Sequence, residues 1–455
     1  MWVKSINVNQ VINESKLSRF HINILLCGLI ILLFDGFDLV VYGAVVPVLM
    51  KEWSLTAIEA GAIGSYALFG MMLGATMFGS LADKIGRKRV ILICVILFSL
   101  FTALIGFAST PKIFGLFRFI AGLGLGGVMP NIIALMTEYS PKNKRGILVT
   151  TMSSGYAIGG VASAAISIGL ISNFGWQSVF FIGVIPLLIL PLLYKYLPES
   201  PSYYMRNDKN EEMGKILEKI NQDYMYQSTN IYRIELSKEN KTPVLELFRN
   251  KRSVSTIMFW VNAFMTLLIL YGLNTWLPKL MVNAGYPLGS SLMFLLTLNF
   301  GAIIGSIFGG WLSDRWDAKK VLVLYYVISC LSLILLGFKP GSFLLYVLLA
   351  FAGATTIGAQ IVANAYVSQY YSMYIRSTGV GWSLGIGRLG AVLGPTLGGI
   401  LLSLNLSFQM NFLIFAIPGV LAALAILLIQ EKYSDFSTVN TTNNENSLED
   451  TVIEG

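Results

Sequence analysis

The chain has 455 residues, 55% of them hydrophobic and only 12% charged, with a mean hydropathy of +0.68. A soluble fold of this length could not cover so much apolar surface with its own core. The formal net charge of +8 is no nucleic-acid footprint, because the cations gather in alternate loops between apolar runs.

Residues up to about position 20 are polar and show no small-residue cleavage site, so the first helix is expected to stay as an uncleaved anchor. Crossing a bilayer takes roughly 20 apolar residues. Such runs lie near 21–50, 58–81, 90–110, 112–138, 147–172 and 176–197. After a polar stretch they resume at 253–282, 288–313, 321–339, 342–367, 378–403 and 409–430. Twelve spans leave little chain for a soluble domain. The 44 glycines fit helices that approach closely in lipid. Residues 199–252 read as a charged, partly helical, solvated linker, and 433–455 as an acidic, disordered tail. The predicted organisation is a first half at 1–198 and a second at 253–432.

Alternate loops are basic: Lys4, Lys16 and Arg19; Lys84, Arg87, Lys88 and Arg89; Lys142, Lys144 and Arg145; Arg315, Lys319 and Lys320; and Arg376. The opposite loops hold only Lys51, Lys112, Lys279 and Lys339. The positive-inside rule therefore puts both termini in the cytoplasm. Cys27, Cys94 and Cys330 sit far apart in apolar helices and read as buried thiols, with no metal spacing among them. His21, the single histidine, reads as an interfacial side chain at the edge of the first helix.

Shifting the chain by 231 positions lays Gly70, Gly74, Gly79, Leu81 and Asp83 on Gly301, Gly305, Gly310, Leu312 and Asp314. The same shift carries Pro47 to Pro278, Lys88–Arg89 to Lys319–Lys320, and Arg145 to Arg376. Two similar six-helix halves in parallel arrangement follow, with rocking of one on the other as the natural motion. The asymmetries are informative: Asp35 and Asp38 map to Thr266 and Ile269, Glu138 to Gln369, and Arg87 to Ala318.

The loop Gly79-Ser-Leu-Ala-Asp83-Lys-Ile-Gly86-Arg87-Lys88-Arg89 resembles the signature loop of the major facilitator superfamily, with a weaker copy from Gly310. The resemblance implies an all-α membrane protein, twelve transmembrane helices in two pseudo-symmetric six-helix bundles. It also implies a gate of Asp83, Gly86 and Arg87, joined by the charge relay of Glu138 and Arg145, with Asp314 and Arg376 in the second half. A role confined to enforcing topology is the alternative for these charges. Phe34-Asp35-Gly36-Phe37-Asp38-Leu39-Val40-Val41-Tyr42-Gly43 is similar to the aromatic acid/proton symporters. So are Arg118-Phe-Ile-Ala-Gly122-Leu-Gly124-Leu-Gly126-Gly127, Arg376-Ser-Thr-Gly379-Val-Gly381-Trp382 and Gly387-Arg388-Leu-Gly390-Ala-Val-Leu-Gly394-Pro395. Gly64-Ser-Tyr-Ala-Leu-Phe-Gly-Met-Met72 and Met129-Pro-Asn-Ile-Ile-Ala-Leu-Met-Thr-Glu138-Tyr139 resemble benzoate transporters most.

Asp35 and Asp38 fall near the middle of the first span, on one helical face. A carboxylate there costs at least about 2.5–3.5 kcal/mol, and two repel, so one is expected to hold a proton in part of a cycle. Which of the two carries it stays open. Arg118 and Arg388 can each grip a carboxylate with paired hydrogen bonds, from substrate or from the aspartates. Tyr156, Asn262, Tyr271, Asn274, Asn299, Gln360 and Asn364 could line a cavity or bond neighbouring helices.

Together these features predict a monomeric, proton-coupled importer of an aromatic carboxylate in the inner membrane, without metal or cofactor. A hydroxybenzoate, a nicotinate-like ring or an aliphatic acid are the nearest alternatives. Pro198-Glu199-Ser200-Pro201 is like sugar porters, whose paired glutamines in the seventh helix are missing. Gly155-Tyr-Ala-Ile-Gly159-Gly160 lacks the proline of drug antiporters. An enzyme would need a nucleophile or metal cluster, and a sensor a sizeable soluble domain.

Overall fold

The computed structural model describes residues 5–221, 224, 231–233, 244–372 and 375–434. Most of the acidic tail, 435–455, and parts of the linker lie outside the described residues. Among those described, twelve helices are long and apolar enough to cross a membrane. The chain forms two compact units, Met1–Lys238 with Pro287–Met293, and Glu239–Tyr286 with Phe294–Gly455.

In the first unit, β1 (Ser5–Asn7) and α1 (Val8–Asn13) precede α2 (Arg19–Glu52). Then come α3 (Ala57–Ile85), α4 (Arg87–Ile105), α5 (Pro111–Tyr139) and α6 (Arg145–Phe174). Local chemistry sets several of these starts. Thr56 and Glu59 cap α3 reciprocally, the Glu59 amide reaching Thr56 Oγ1 at 3.2 Å and the Thr56 amide reaching Glu59 Oε2 at 2.9 Å. Thr110 caps α5, whose first residue is Pro111, where a missing N–H costs nothing.

The sixth span, expected near 176–197, is found at Gln177–Tyr196 and is segmented. It comprises α7 (Gln177–Phe181), a 3-10 turn over Ile182–Val184, α8 (Ile185–Leu188) and α9 (Leu190–Tyr196). Pro186 and Pro191 each stand in the first turn of a new segment, because neither can donate to the preceding one. Beyond it lie α10 (Pro201–Arg206) and α11 (Asn210–Ile220), and β2 (Ile231–Arg233) pairs in parallel with β1. The linker is thus not simply a solvated tether: Met213, Ile216, Leu217 and Ile220 of α11 are buried, and α11 packs on α1 and α2.

The second unit contains α12 (Ser253–Asn283), α13 (Leu288–Arg315) from Phe294 onward, α14 (Ala318–Leu336), α15 (Ser342–Tyr370), α16 (Arg376–Ser403) and α17 (Phe408–Leu428). Within each unit the first spanning helix packs against the fifth, α2 on α6 and α12 on α16.

The 231-residue repeat reappears in the packing. A Cβ on Gly70 would strike the carbonyl oxygen of Phe119, and one on Gly74 that of Leu123. At the shifted positions, Gly301 meets the carbonyl of Ala350 and Gly305 that of Ala354. From the facing helices, Gly122 meets Ala67 and Gly353 meets Leu298. Gly159 against Leu33 is matched by Gly390 against Phe264. Main chain touches main chain at these seams, which only glycine permits.

Candidate functional site

The centre of the first unit holds a buried ion pair. Asp38 on α2 and Arg118 on α5 are each 1% exposed, and Arg118 Nη1 lies 3.1 Å from Asp38 Oδ2. The same Nη1 donates to the Asp38 main-chain carbonyl at 3.1 Å. Thr102 on α4 donates from Oγ1 to Asp38 Oδ1 at 2.7 Å. The guanidinium lies over the Tyr42 ring, 5.0 Å from its centroid, and the Tyr42 hydroxyl donates to the Ala60 carbonyl. Arg118 Nε is buried with no hydrogen-bond partner among the described residues. Asp35, one turn before Asp38, is fully buried. Of the two acids and two arginines singled out in the sequence, the structure joins Asp38 to Arg118.

The corresponding positions of the second unit carry hydrocarbon. Asp38, Tyr42, Thr102 and Arg118 shift onto Ile269, Leu273, Leu333 and Leu349, each no more than 2% exposed. One helical framework thus accepts either a charged, hydrogen-bonded cluster or four aliphatic side chains. A buried ion pair is in any case weak ground for stability, since apolar replacement is often neutral or stabilising. The second unit is built without these charges.

A second cluster lies where α3, α4 and α5 end or begin. Arg87 Nη2 stands 2.7 Å from Glu138 Oε1, and Arg87 Nε donates to the same oxygen at 2.9 Å. Glu138 Oε2 is buried without a hydrogen-bond partner among the described residues. Asp83 is exposed and, among the described residues, its side chain pairs with neither Arg87 nor another cation; its main-chain carbonyl accepts from Arg206 of α10. Nor does Arg145 reach Glu138. It donates to Asn13 Oδ1 at 2.9 Å and to the Ser140 carbonyl at 3.4 Å. The expected relay is therefore split, because the N-terminal segment and the linker supply partners that loop spacing could not reveal. In the second unit Arg376 is exposed and donates to the Tyr371 carbonyl at 3.5 Å, the shifted equivalent of Arg145 with Ser140. Burial pushes the Tyr371 hydroxyl up to about 12. The side chain of Asp314 lies outside the described residues.

Gly86 adopts φ of 100° between α3 and α4, and a Cβ there would sit on the carboxyl group of Glu199. Glu199 Oε1 accepts the Lys88 amide at 3.0 Å and the Ser200 amide at 2.9 Å, so a linker residue caps α4. Tyr139 Oη donates to the Glu199 carbonyl at 2.5 Å. Burial pushes the nearby Tyr204 hydroxyl above the usual tyrosine range, opposed by a hydrogen bond with the Glu199 main chain. His21, in the first turn of α2, is fully buried. Its Nδ1 faces the Ser18 amide at 3.0 Å and its Nε2 the Tyr139 carbonyl at 3.0 Å.

The weaker candidates divide. Asn299 Nδ2 donates to Asn274 Oδ1 at 3.1 Å, and Asn274 helps line a small pocket with Leu270, Leu273, Leu298 and Thr356. Asn262 is spent on packing, donating to Tyr326 Oη at 2.8 Å and the Ala422 carbonyl at 3.3 Å. Thr266, at the place of Asp35, bonds the same Tyr326 hydroxyl at 2.6 Å. Gln360 donates to Asn364 at 3.2 Å. Tyr156, Tyr271 and Arg388 are half-buried. Sequence reasoning missed Tyr42, Thr102 and Glu199 as partners of the charges.

Twelve spans among the described residues, in two repeats with a charged pair buried in the first, are the architecture of a polytopic membrane protein. The chain belongs to the major facilitator superfamily, whose family model matches residues 28–302 and 289–447. It is 48% identical to the benzoate transport protein of Acinetobacter baylyi over 436 residues, 94% of each chain. It is 38% identical to the gentisate transporter of Corynebacterium glutamicum, covering 90% of this chain and 88% of that one. Its fold is similar to the inward open xylose transporter XylE from E. coli, with a TM-score of 0.71 at 16% identity, covering 90% and 96% of the two chains.

Proposed function

We propose that this chain imports an aromatic carboxylic acid, benzoate first among candidates, by proton symport and alternating access across the cytoplasmic membrane. The observation that carries the reading is the Asp38–Arg118 pair, buried within two membrane-spanning helices at positions where the second repeat carries hydrocarbon. A charged pair without a structural need is explained by a step that uses charge. A proton added to the carboxyl removes the attraction and frees the guanidinium for the planar carboxylate of an incoming acid. Asp35 is the second carboxyl in this scheme, and Arg388 the other cation able to meet substrate. The relatives named for benzoate and gentisate favour an aromatic acid.

The remaining assignments follow from the same reading. Both termini face the cytoplasm, by the basic loops. The halves are 1–198 and 253–432, joined by the linker 199–252, and the protein acts as a monomer. Arg87, Glu138, Gly86 and Asp83 form the gate on that side, with Arg145 tied to the N-terminal segment. Asp314 and Arg376 hold the equivalent places in the second half.

Uptake into proteoliposomes tests the proposal, using labelled benzoate, 4-hydroxybenzoate, nicotinate and an aliphatic acid under an imposed pH gradient. Benzoate should accumulate, and a protonophore should abolish the accumulation. Accumulation indifferent to the gradient would reject symport. Accumulation of the aliphatic acid alone would reject the aromatic substrate.

A further inference from the structure

Both carboxylate oxygens of Asp38 are occupied by donors. Arg118 takes Oδ2 and can only donate. Thr102 takes Oδ1, and its hydroxyl can either donate or accept. Thr102 is 2% exposed, so no bulk water substitutes for it. Its methyl is held in place as well: a Cβ on Gly183, in the break of the sixth span, would meet Thr102 Cγ2. The shifted position, Leu333, shows that a buried aliphatic side chain is accommodated at this point of the framework.

We infer that Thr102 is a positioning residue for the proton step, its hydroxyl holding Asp38 bare and paired with Arg118 until a proton takes Oδ1. The inference rests on the symport reading above. In the step, a hydronium ion from the aqueous phase gives its proton to Oδ1, leaving water, and an O–H bond forms there. Thr102 then turns its own hydrogen away, to the carbonyl of Phe98 one helical turn earlier, an acceptor that threonine in a helix can reach. Arg118 keeps all its protons and loses only the charge it faced. On release the Oδ1–H bond breaks, the proton leaves to water on the opposite side, and Thr102 returns to Oδ1.

The test uses the full chain in proteoliposomes with labelled benzoate, comparing wild type, Thr102→Val and Thr102→Ser. Two quantities are read: accumulation driven by a pH gradient, and exchange of internal label for external benzoate without a gradient. In Thr102→Val, accumulation should fall about ten- to a hundredfold, the worth of one hydrogen bond to a charged group, while exchange stays within about twofold of wild type. Thr102→Ser should restore accumulation. Wild-type accumulation in Thr102→Val overturns the inference, as does loss of exchange in proportion to accumulation, which marks a structural role. Gradient-indifferent uptake by the wild type itself removes the symport reading instead, and the inference with it.

Discussion

The carboxyl group of Glu199 occupies the volume that a side chain on Gly86 would need, while its Oε1 accepts the amide two residues further on, at Lys88. The turn between α3 and α4 is thus closed by a residue more than a hundred positions away, in the linker. Gly86→Ala meets two obstacles, a left-handed φ and this carboxyl. It should lower stability by roughly 1–3 kcal/mol. Glu199→Ala should relieve part of that loss, so thermal unfolding of the two single variants and the double should be non-additive. Strict additivity would mean that the contact has no energetic weight.

A second expectation concerns the charged cluster. Arg118→Leu leaves Asp38 buried without its counter-charge and should cost roughly 3–5 kcal/mol. The combined variant Asp38→Ile, Thr102→Leu, Arg118→Leu copies the residues at the shifted positions. It should regain most of that stability and transport nothing. If it stays as unstable as Arg118→Leu, the equivalence of the two frameworks fails.

Asp35→Asn should reach the membrane in normal amount and lose uphill uptake down to background; Asp38→Asn should lose uptake too, with a lower yield because Arg118 is left buried without its counter-charge. Membrane yield and accumulation, measured on the same cells, decide this. Normal accumulation by both would eliminate the carboxyls from the coupling step.

The glycine seams make a matched prediction. Gly74→Val and Gly305→Val drive a side chain into the carbonyls of Leu123 and Ala354, and each should cost at least about 1–3 kcal/mol. Gly79→Ala has nothing within 4 Å of the new methyl. It should be neutral, or stabilising by up to about 1 kcal/mol through helix propensity. Unfolding temperatures in detergent compare the three directly.

Much of this architecture could be read from the chain, because span length and a constant offset are properties of the string itself. Asp38 and Arg118 were both legible, as charges where hydrocarbon belongs. Their pairing was not, since 80 residues separate them and Arg388 offered an equal alternative. Thr102 gave no signal of its own, a threonine in an apolar helix being ordinary; its aliphatic counterpart Leu333 was the available clue. Hydropathy passed over the break in the sixth span, because Pro186 and Pro191 alter hydrogen bonding without altering polarity. The contact of His21 with Tyr139 was not legible, because 118 residues separate the two. Arg145 found Asn13 rather than Glu138 because the N-terminal segment folds back on this unit.

At Gly70, Gly74 and Gly122 no side chain stands between the main chains of α3 and α5 to bend, swivel or repack. Such a union has no intermediate settings: it is seated, or it is open. Whatever displacement carries a solute across, these two rods travel as a single plank, and the compliance needed for the journey has to come from helices that meet through longer, softer groups.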